Sequence, residues 1–356
     1  MTSEPVTAGP ESAPHCRGPI FRAVRWFGRL VLAVVLVVAL AWASLAVYYS
    51  NLPAGCRPAA SAIFIASQLA ILLFVKRRPR KLLACTLLWA VVLVWWLLIP
   101  PSNNRDWQRD LALLPGAERH GNQLTVHNIR NCDYRSETDF DVRYYDRTFD
   151  LDRLRSVDLF LVRWGSPHIA HTMFSFGFEG DQYLCISIET RKEKGEDYST
   201  VKGFFRQYEL TYVVADEHDL VKLRTNYRGE QVHLYRLQTD MQTARAVLLD
   251  YFATINSLRD CPEWYNALTS NCTTNIRGHT LPYTGIRPWN WRLLLNGHLD
   301  ELIYEHGDVD RSLPLAELNA RSLINERARA AGNAADFSRR IREGLPGMQT
   351  DTPASK

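Results

Sequence analysis

Three apolar runs dominate the first hundred residues. Residues 30–48 carry no charge, and the uncharged stretch continues to Gly55. Residues 59–75 form a second run, with Gln68 its most polar position, and 82–99 a third, closed by Pro100-Pro101. Each is about the length a helix needs to cross a hydrocarbon core of roughly 30 Å. A cleaved signal peptide would account for one run and leave two unexplained. Further on the spacing alternates. Residues 123–129, 157–163, 169–178, 183–189, 210–215, 220–224 and 231–237 read as strands. Residues 239–257 have helical periodicity, and Cys261-Pro262 reads as the start of a short helix. The stretch 280–314 is mixed, and 315–342 is mostly helical and charged. The class predicted is α+β: three transmembrane helices, then an antiparallel sheet packed on helices. The divisions are 1–29, a cytoplasmic tail; 30–101, the three spans; 102–313, a periplasmic domain; and 314–356, a helical C-terminal extension and tail. The domain is long enough for one core. The tail before Arg17 is rich in Pro, Ser, Thr and Glu and reads as disordered.

Charge adds an orientation. Arg17, Arg22, Arg25 and Arg29 precede the first span, and Lys76, Arg77, Arg78, Arg80 and Lys81 lie between the second and third. The intervening loop has only Arg57. Basic loops stay in the cytoplasm. The expectation is an inner-membrane, multi-pass protein with its N-terminus inside and everything after Pro101 outside, which in a bacterium is the periplasm. Trp42, Tyr48, Tyr49, Trp89, Trp95 and Trp96 are candidates for interfacial anchors. The formal charge of +4 hides an uneven distribution: residues 1–81 hold ten Lys or Arg against Glu4 and Glu11, leaving 32 basic and 36 acidic residues beyond them. That mildly acidic remainder argues against nucleic acid as a partner. Seven cysteines are too few for a disulfide scaffold at this length. A bridge such as Cys132–Cys261 is compatible with the compartment. No CxxC or Cys/His spacing suggests zinc, and no cofactor is expected.

The candidate chemistry lies in two segments about a hundred residues apart. In the first, Glu179-Gly180-Asp181 reads as a three-residue hairpin loop with Gly180 at its centre. His171 then faces Glu189, Met173 faces Ser187, and Ser175 faces Cys185. Even positions (Phe174, Phe176, Phe178, Leu184, Ile186, Ile188) make a core face; odd ones (His171, Ser175, Gly177, Ser187, Glu189) make a small, polar one. A carboxylate opposite a histidine can accept its Nδ1 proton and fix the tautomer. Glu189 or Ser187 is left open as the orienting group. The plainer reading is a solvated His–Glu pair. His168 competes but adjoins Pro167 and is less well aimed. In the second segment Cys272 follows Ser270-Asn271, which suits a helix N-cap. A thiol there meets unpaired N–H groups and the positive end of the helix, both of which favour thiolate. Those N–H groups can also hold an oxyanion, with the Asn271 side chain as an added donor. The plainer reading is a small Cys filling space. Cys185, mid-strand, reads as packing.

The run Ala170-His171-Thr172-Met173-Phe174-Ser175-Phe176-Gly177-Phe178 is followed by Ser187-Ile188-Glu189-Thr190-Arg191-Lys192-Glu193-Lys194-Gly195-Glu196. Arg224-Thr225-Asn226-Tyr227-Arg228-Gly229 and Asn271-Cys272-Thr273-Thr274 come later. Together these resemble the Lnb-type N-terminal periplasmic domain, over roughly residues 103–342. The resemblance implies a papain-like thiol-hydrolase fold of the NlpC type in permuted order, with Cys272 as nucleophile and His171 as base. It also implies a relation to a lipoprotein N-acyltransferase, which moves an acyl chain from phospholipid through a Cys thioester to a lipoprotein's N-terminal amine. Membrane lipid and a lipoprotein N-terminus are thus the expected partners. Here the spans precede the domain, whereas the family's named member carries its membrane part after it. Arg191 or Lys194, in the mixed-charge loop, is a candidate for a phosphate headgroup, with a solvated turn the plainer reading; Arg228 and Arg277 share that ambiguity. The alternatives are a peptidoglycan amide hydrolase and a non-catalytic envelope scaffold.

Overall fold

A computed structural model describes residues 19–285 and 288–348. The N-terminal tail expected to be disordered, with Cys16 and Arg17, lies outside the described residues. The chain forms two compact units that divide between Ile99 and Pro100.

The first unit holds α1 (Pro19–Tyr48), α2 (Arg57–Phe74) and α3 (Arg78–Leu97). All three are long and apolar enough to cross a membrane. α1 starts at Pro19 rather than at residue 30, because Arg22, Arg25 and Arg29 interrupt the apolar run without lowering helix propensity. Proline in the first turn opens α2 and α3. The polar side chains turn inward: Ser61 Oγ donates to the Ser44 carbonyl at 3.0 Å, and Gln68 is buried. Valines and leucines such as Val34, Leu69 and Leu87 face outward.

The second unit is built on a sheet of eight strands. Its path runs β1 (Gly116–His120), β2 (Gln123–Arg130), β9 (Glu209–Ala215), β8 (Gln182–Arg191), β7 (Ala170–Phe178), β6 (Leu154–Arg163), β10 (Gln231–Arg236), with β5 (Tyr144–Asp150) paired to β2. Neighbours are antiparallel except β2 and β9. β3 (Asp133–Tyr134) and β4 (Phe140–Asp141) form a separate pair. α5 (Met241–Asp260) and α6 (Cys272–Thr284) cover one face, burying Phe174, Phe176, Ile186 and Ile188 with Val247, Tyr251 and Ile276. α7 (Leu299–His306) and α8 (Leu315–Ser322) extend that layer.

The odd-numbered hairpin face is also covered. α4 (Glu217–Lys222), α9 (Asn325–Ala331) and α10 (Phe337–Arg340) bury Met173 and Cys185 against Leu220, Ile324, Phe337 and Ile341. Within the segment after Leu313, an extension by sequence, α9 and α10 are therefore a third layer of the same unit. It is pinned by Arg342, which donates to Asp158 at 2.8 and 2.9 Å and to Glu217 at 2.6 and 2.7 Å. Its guanidinium lies 3.7 Å from the Tyr183 ring centroid. Two expectations are corrected. Residues 220–224 are not a strand: they continue α4 into a π-helical turn, Leu223–Tyr227. A short apolar run does not by itself separate strand from buried helix. No helix begins at Cys261-Pro262; Cys261 ends α5.

Candidate active site

The hairpin register is the one the alternation predicts. Met173 pairs with Ser187, Ser175 with Cys185 and Phe178 with Gln182, with Gly180 and Asp181 at positive φ in the turn. The β7–β8 ladder stops at Met173 and Ser187, although both strands continue, β7 on β6 back to Ala170 and β8 on β9 out to Arg191. The sheet splits there. The N-terminus of α6 meets β7 at the split, where the Thr172 and Thr273 hydroxyls lie 3.5 Å apart and Thr172 favours ionisation of the Cys272 thiol.

Cys272 is the first residue of α6 and is 6% exposed. Asn271 caps the helix: its Oδ1 accepts from the Thr274 N–H at 3.0 Å, and Thr274 Oγ1 accepts from the Asn271 N–H at 2.9 Å. Asn271 Nδ2 donates to the Ala267 carbonyl at 2.9 Å. Its Oδ1 and one of its two Nδ2 protons are thus committed to the cap and the turn before it.

The His171 imidazole and the Cys272 thiol lie close enough for each to shift the other's ionisation. The other side of the ring corrects the expected tautomer. Nε2, not Nδ1, faces the carboxylate, 2.7 Å from Ser187 Oγ and 3.2 Å from Glu189 Oε1. That leaves Nδ1 as the nitrogen for sulfur. Ser187 Oγ donates to Glu189 Oε1 at 2.6 Å, so both candidate orienting groups meet the ring, the hydroxyl between ring and carboxylate. Arg224, on the π-helical turn, donates to the same oxygen at 2.7 Å. π-turns recur at functional sites.

These contacts set the charges. Burial opposes ionisation of the thiol, but His171 and then Thr172 bring it down to about 7. Burial also works against the imidazolium, yet Glu189 and then Cys272 raise His171 to about 9. Glu189 is held well below the carboxylate range despite burial, by His171 and then Arg224 and Ser187. Between roughly pH 7 and 9 the pair is thiolate and imidazolium. In Glu189→Gln the imidazolium loses its counter-charge. The midpoint of Cys272 alkylation with pH is expected to rise by about 1–2 units, while Ser187→Ala, which keeps the carboxylate, moves it less.

Asn296 gave no sequence signal, lying in the stretch read only as mixed. It is 6% exposed, accepts from the Ala170 N–H at 2.8 Å and donates to the Ala170 carbonyl and to Thr273 Oγ1 at 2.7 Å. Its Nδ2 lies 3.8 Å from Cys272 Sγ. It thus fastens the start of β7 to the start of α6. Arg224 lies in a motif visible in the sequence that carried no assigned role.

Other candidates fall elsewhere. Arg191 is 2% exposed, donates to Leu111 O, Asn103 Oδ1 and Ala112 O at 3.0 Å each, and stacks on Trp107. It is a structural clamp with no donor turned to a headgroup. Lys194 pairs with Asp106 at 2.6 Å, and Arg228 with Glu137 at 2.9 Å. His168 contacts His298 at 2.8 Å rather than the thiol. Cys132 and Cys261 are free thiols, one buried and one exposed, so the proposed bridge is absent. Among the described residues no group of three or more His, Cys, Asp or Glu is placed to hold a metal ion. Behind α6 lies a cavity of about 390 Å³, walled by Phe174, Val247, Ile276, Leu293 and Leu302 and reaching Thr273 beside the thiol.

The fold and site define a class: a membrane protein with three apolar helices and an α+β domain in which a cysteine at a helix start meets a histidine on a strand. A family model described as the Lnb N-terminal periplasmic domain matches residues 140–297. The matched segment runs from β4 through His171, Arg224 and Cys272 to just past Asn296. No curated protein and no solved structure matches the chain.

Proposed function

We propose that this chain is a membrane-anchored periplasmic thiol enzyme of papain-like type, multi-pass with its N-terminus in the cytoplasm, that carries an acyl group on Cys272 and transfers it in a lipid- or lipoprotein-directed reaction. The observation that carries the reading is a largely apolar cavity that reaches Thr273, the residue after Cys272 of the Cys–His pair. Its volume is in the range of ligand pockets. Phe174, Val247, Ile276, Leu293 and Leu302 offer an alkyl chain an apolar wall, and Gln238, Arg277, Asn290 and Asp308 on the same lining offer polar contacts to a headgroup.

The thiolate attacks the ester carbonyl of the donor. The N–H groups of Cys272 and Thr273, ahead of the capped Thr274 N–H, hold the oxyanion. The C–O bond breaks, His171 gives its proton to the leaving alkoxide, and a thioester remains. An amine then attacks the thioester, His171 takes its proton, and the thiolate is regenerated. Glu189, Ser187 and Arg224 hold the ring through Nε2.

Full-length protein in phospholipid vesicles is expected to gain one acyl mass on Cys272 under single-turnover conditions, and Cys272→Ser none. An unmodified wild type would overturn acyl transfer. Peptide release from purified sacculi, lost in Cys272→Ser, would replace it with amide hydrolysis.

A further inference from the structure

We infer that the end of the second unit carrying Cys272 seats in the interface of the bilayer its chain enters, through a rim of apolar side chains around the site. β7 spans the domain over about 27 Å, eight strand steps, and its Ala170 end carries an apolar rim beside the exposed Lys194–Asp106 pair of the loop after β8. At the Ala170 end, Ile169, Phe204, Leu268, Trp291, Leu294 and Leu295 are each 37–50% exposed. They lie on segments that border Cys272. The Gly297 N–H donates to the His168 carbonyl at 3.0 Å, which joins the 291–297 loop to the start of β7. The Ala267 N–H donates to the Gly203 carbonyl at 3.1 Å, which joins the turn before Cys272 to the Phe204 segment. Asn296 ties the first of these loops to Thr273. At the Phe178 end the exposed groups are charged: Arg155 pairs with Glu179, and Arg245 with Asp152 at 2.9 Å.

An exposed apolar rim needs a covering surface, and the route of the chain says which. β8 runs antiparallel to β7, so Arg191 at its end, and Glu209 opposite on β9, lie at the site end. They hold the incoming chain: Arg191 donates to Asn103 Oδ1 and the Ser102 N–H to Glu209 Oε1, both at 3.0 Å. Leu97 ends α3, and the five residues from there to Ser102 reach at most about 17 Å. The rim and the anchored strap share one end of the domain. Trp and Leu at this density suit the headgroup–acyl boundary. The inference rests on the proposed acyl chemistry for its purpose, since a lipid-borne donor then reaches Cys272 without crossing water.

The test uses the full chain with Cys16, Cys56, Cys261 and Cys272 replaced by Ser, in vesicles of phosphatidylethanolamine and phosphatidylglycerol. One nitroxide is attached through Leu268→Cys, Trp291→Cys or Leu295→Cys, and a reference through Arg155→Cys. The collision ratio of oxygen to a soluble nickel reagent is expected to be several-fold higher at the first three positions than at the reference. Equal ratios at all four would overturn the inference. The background lacks the nucleophile, so the readout is independent of turnover. An acyl adduct on wild type with water-exposed labels keeps the enzyme and removes this surface; lipid-buried labels without an adduct keep the surface and remove the acyl chemistry.

Discussion

In His171→Ala, alkylation of Cys272 at pH 7 is expected to fall by about 50–100-fold. In the wild type the thiol ionises at about 7, so near neutrality about half of it is thiolate. The ring removed supplies the largest of the effects that lower it, while the opposing burial stays. A buried thiol without a cation lies above the free value of about 8.5. Each unit of rise leaves tenfold less thiolate, so an ionisation at or above pH 9 leaves about 1% or less at pH 7. The measurement is the rate of iodoacetamide reaction from pH 5 to 10 in both proteins, with mass-spectrometric assignment to Cys272. Cys185, fully buried with its ionisation pushed up, is the internal unreactive reference. A midpoint that stays near 7 in the variant would place the activation in the helix start and Thr172, and would remove His171 from the proton-transfer role.

Arg342→Met is expected to destabilise the second unit by about 3–5 kcal/mol. The side chain of Asp158 has no exposure, nor has that of Glu217. Asp158 retains Arg236, but Glu217 retains only the Ser175 hydroxyl. Removing one partner of a buried pair strands the other, which costs more than the pair itself contributes. For a unit of this size the midpoint of thermal unfolding falls by about 2–4 °C per kcal/mol, so about 6–20 °C in all. Adding Glu217→Gln neutralises the stranded charge and is expected to recover part of the loss, a coupling a double-mutant cycle reads directly. A loss below about 1 kcal/mol in Arg342→Met would mean that water reaches the cluster and that the third layer is held by Phe337, Ile341 and their neighbours alone.

Alternation made the hairpin legible. With Gly180 as the only position suited to the turn centre and six large apolar residues on one face, a single register buries them, and that register pairs Ser175 with Cys185. Asn271 before Cys272 was likewise readable, because a cap is a local device. Three features were not. The nitrogen that meets Glu189 depends on how far the ring turns at the split between β7 and β8, which no local pattern encodes. Asn296 reaches β7 across more than a hundred residues. The odd face of the hairpin looked half-polar because its Ser175 is matched to Glu217, and thereby to Arg342, from helices far along the chain. Arg191 erred in the opposite sense: a basic residue in a charged loop reads as solvent-facing, and only the fold shows it closed over by Trp107 and three acceptors.

The order of the site's parts along the chain also fixes the moment at which it comes into being. A ribosome makes the histidine strand about a hundred residues before the cysteine helix, a lag of about 5–20 s at ordinary elongation rates. Asn296 follows the cysteine, and Arg342, which seals the sheet's other face, comes later still. During that interval the nascent chain holds the imidazole, hydroxyl and carboxylate but not the thiol. A chain cut short before Cys272 lacks the thiol, and one cut short soon after it lacks the Asn296 clasp between β7 and α6. The thiol thus meets the histidine strand only late in synthesis of this domain.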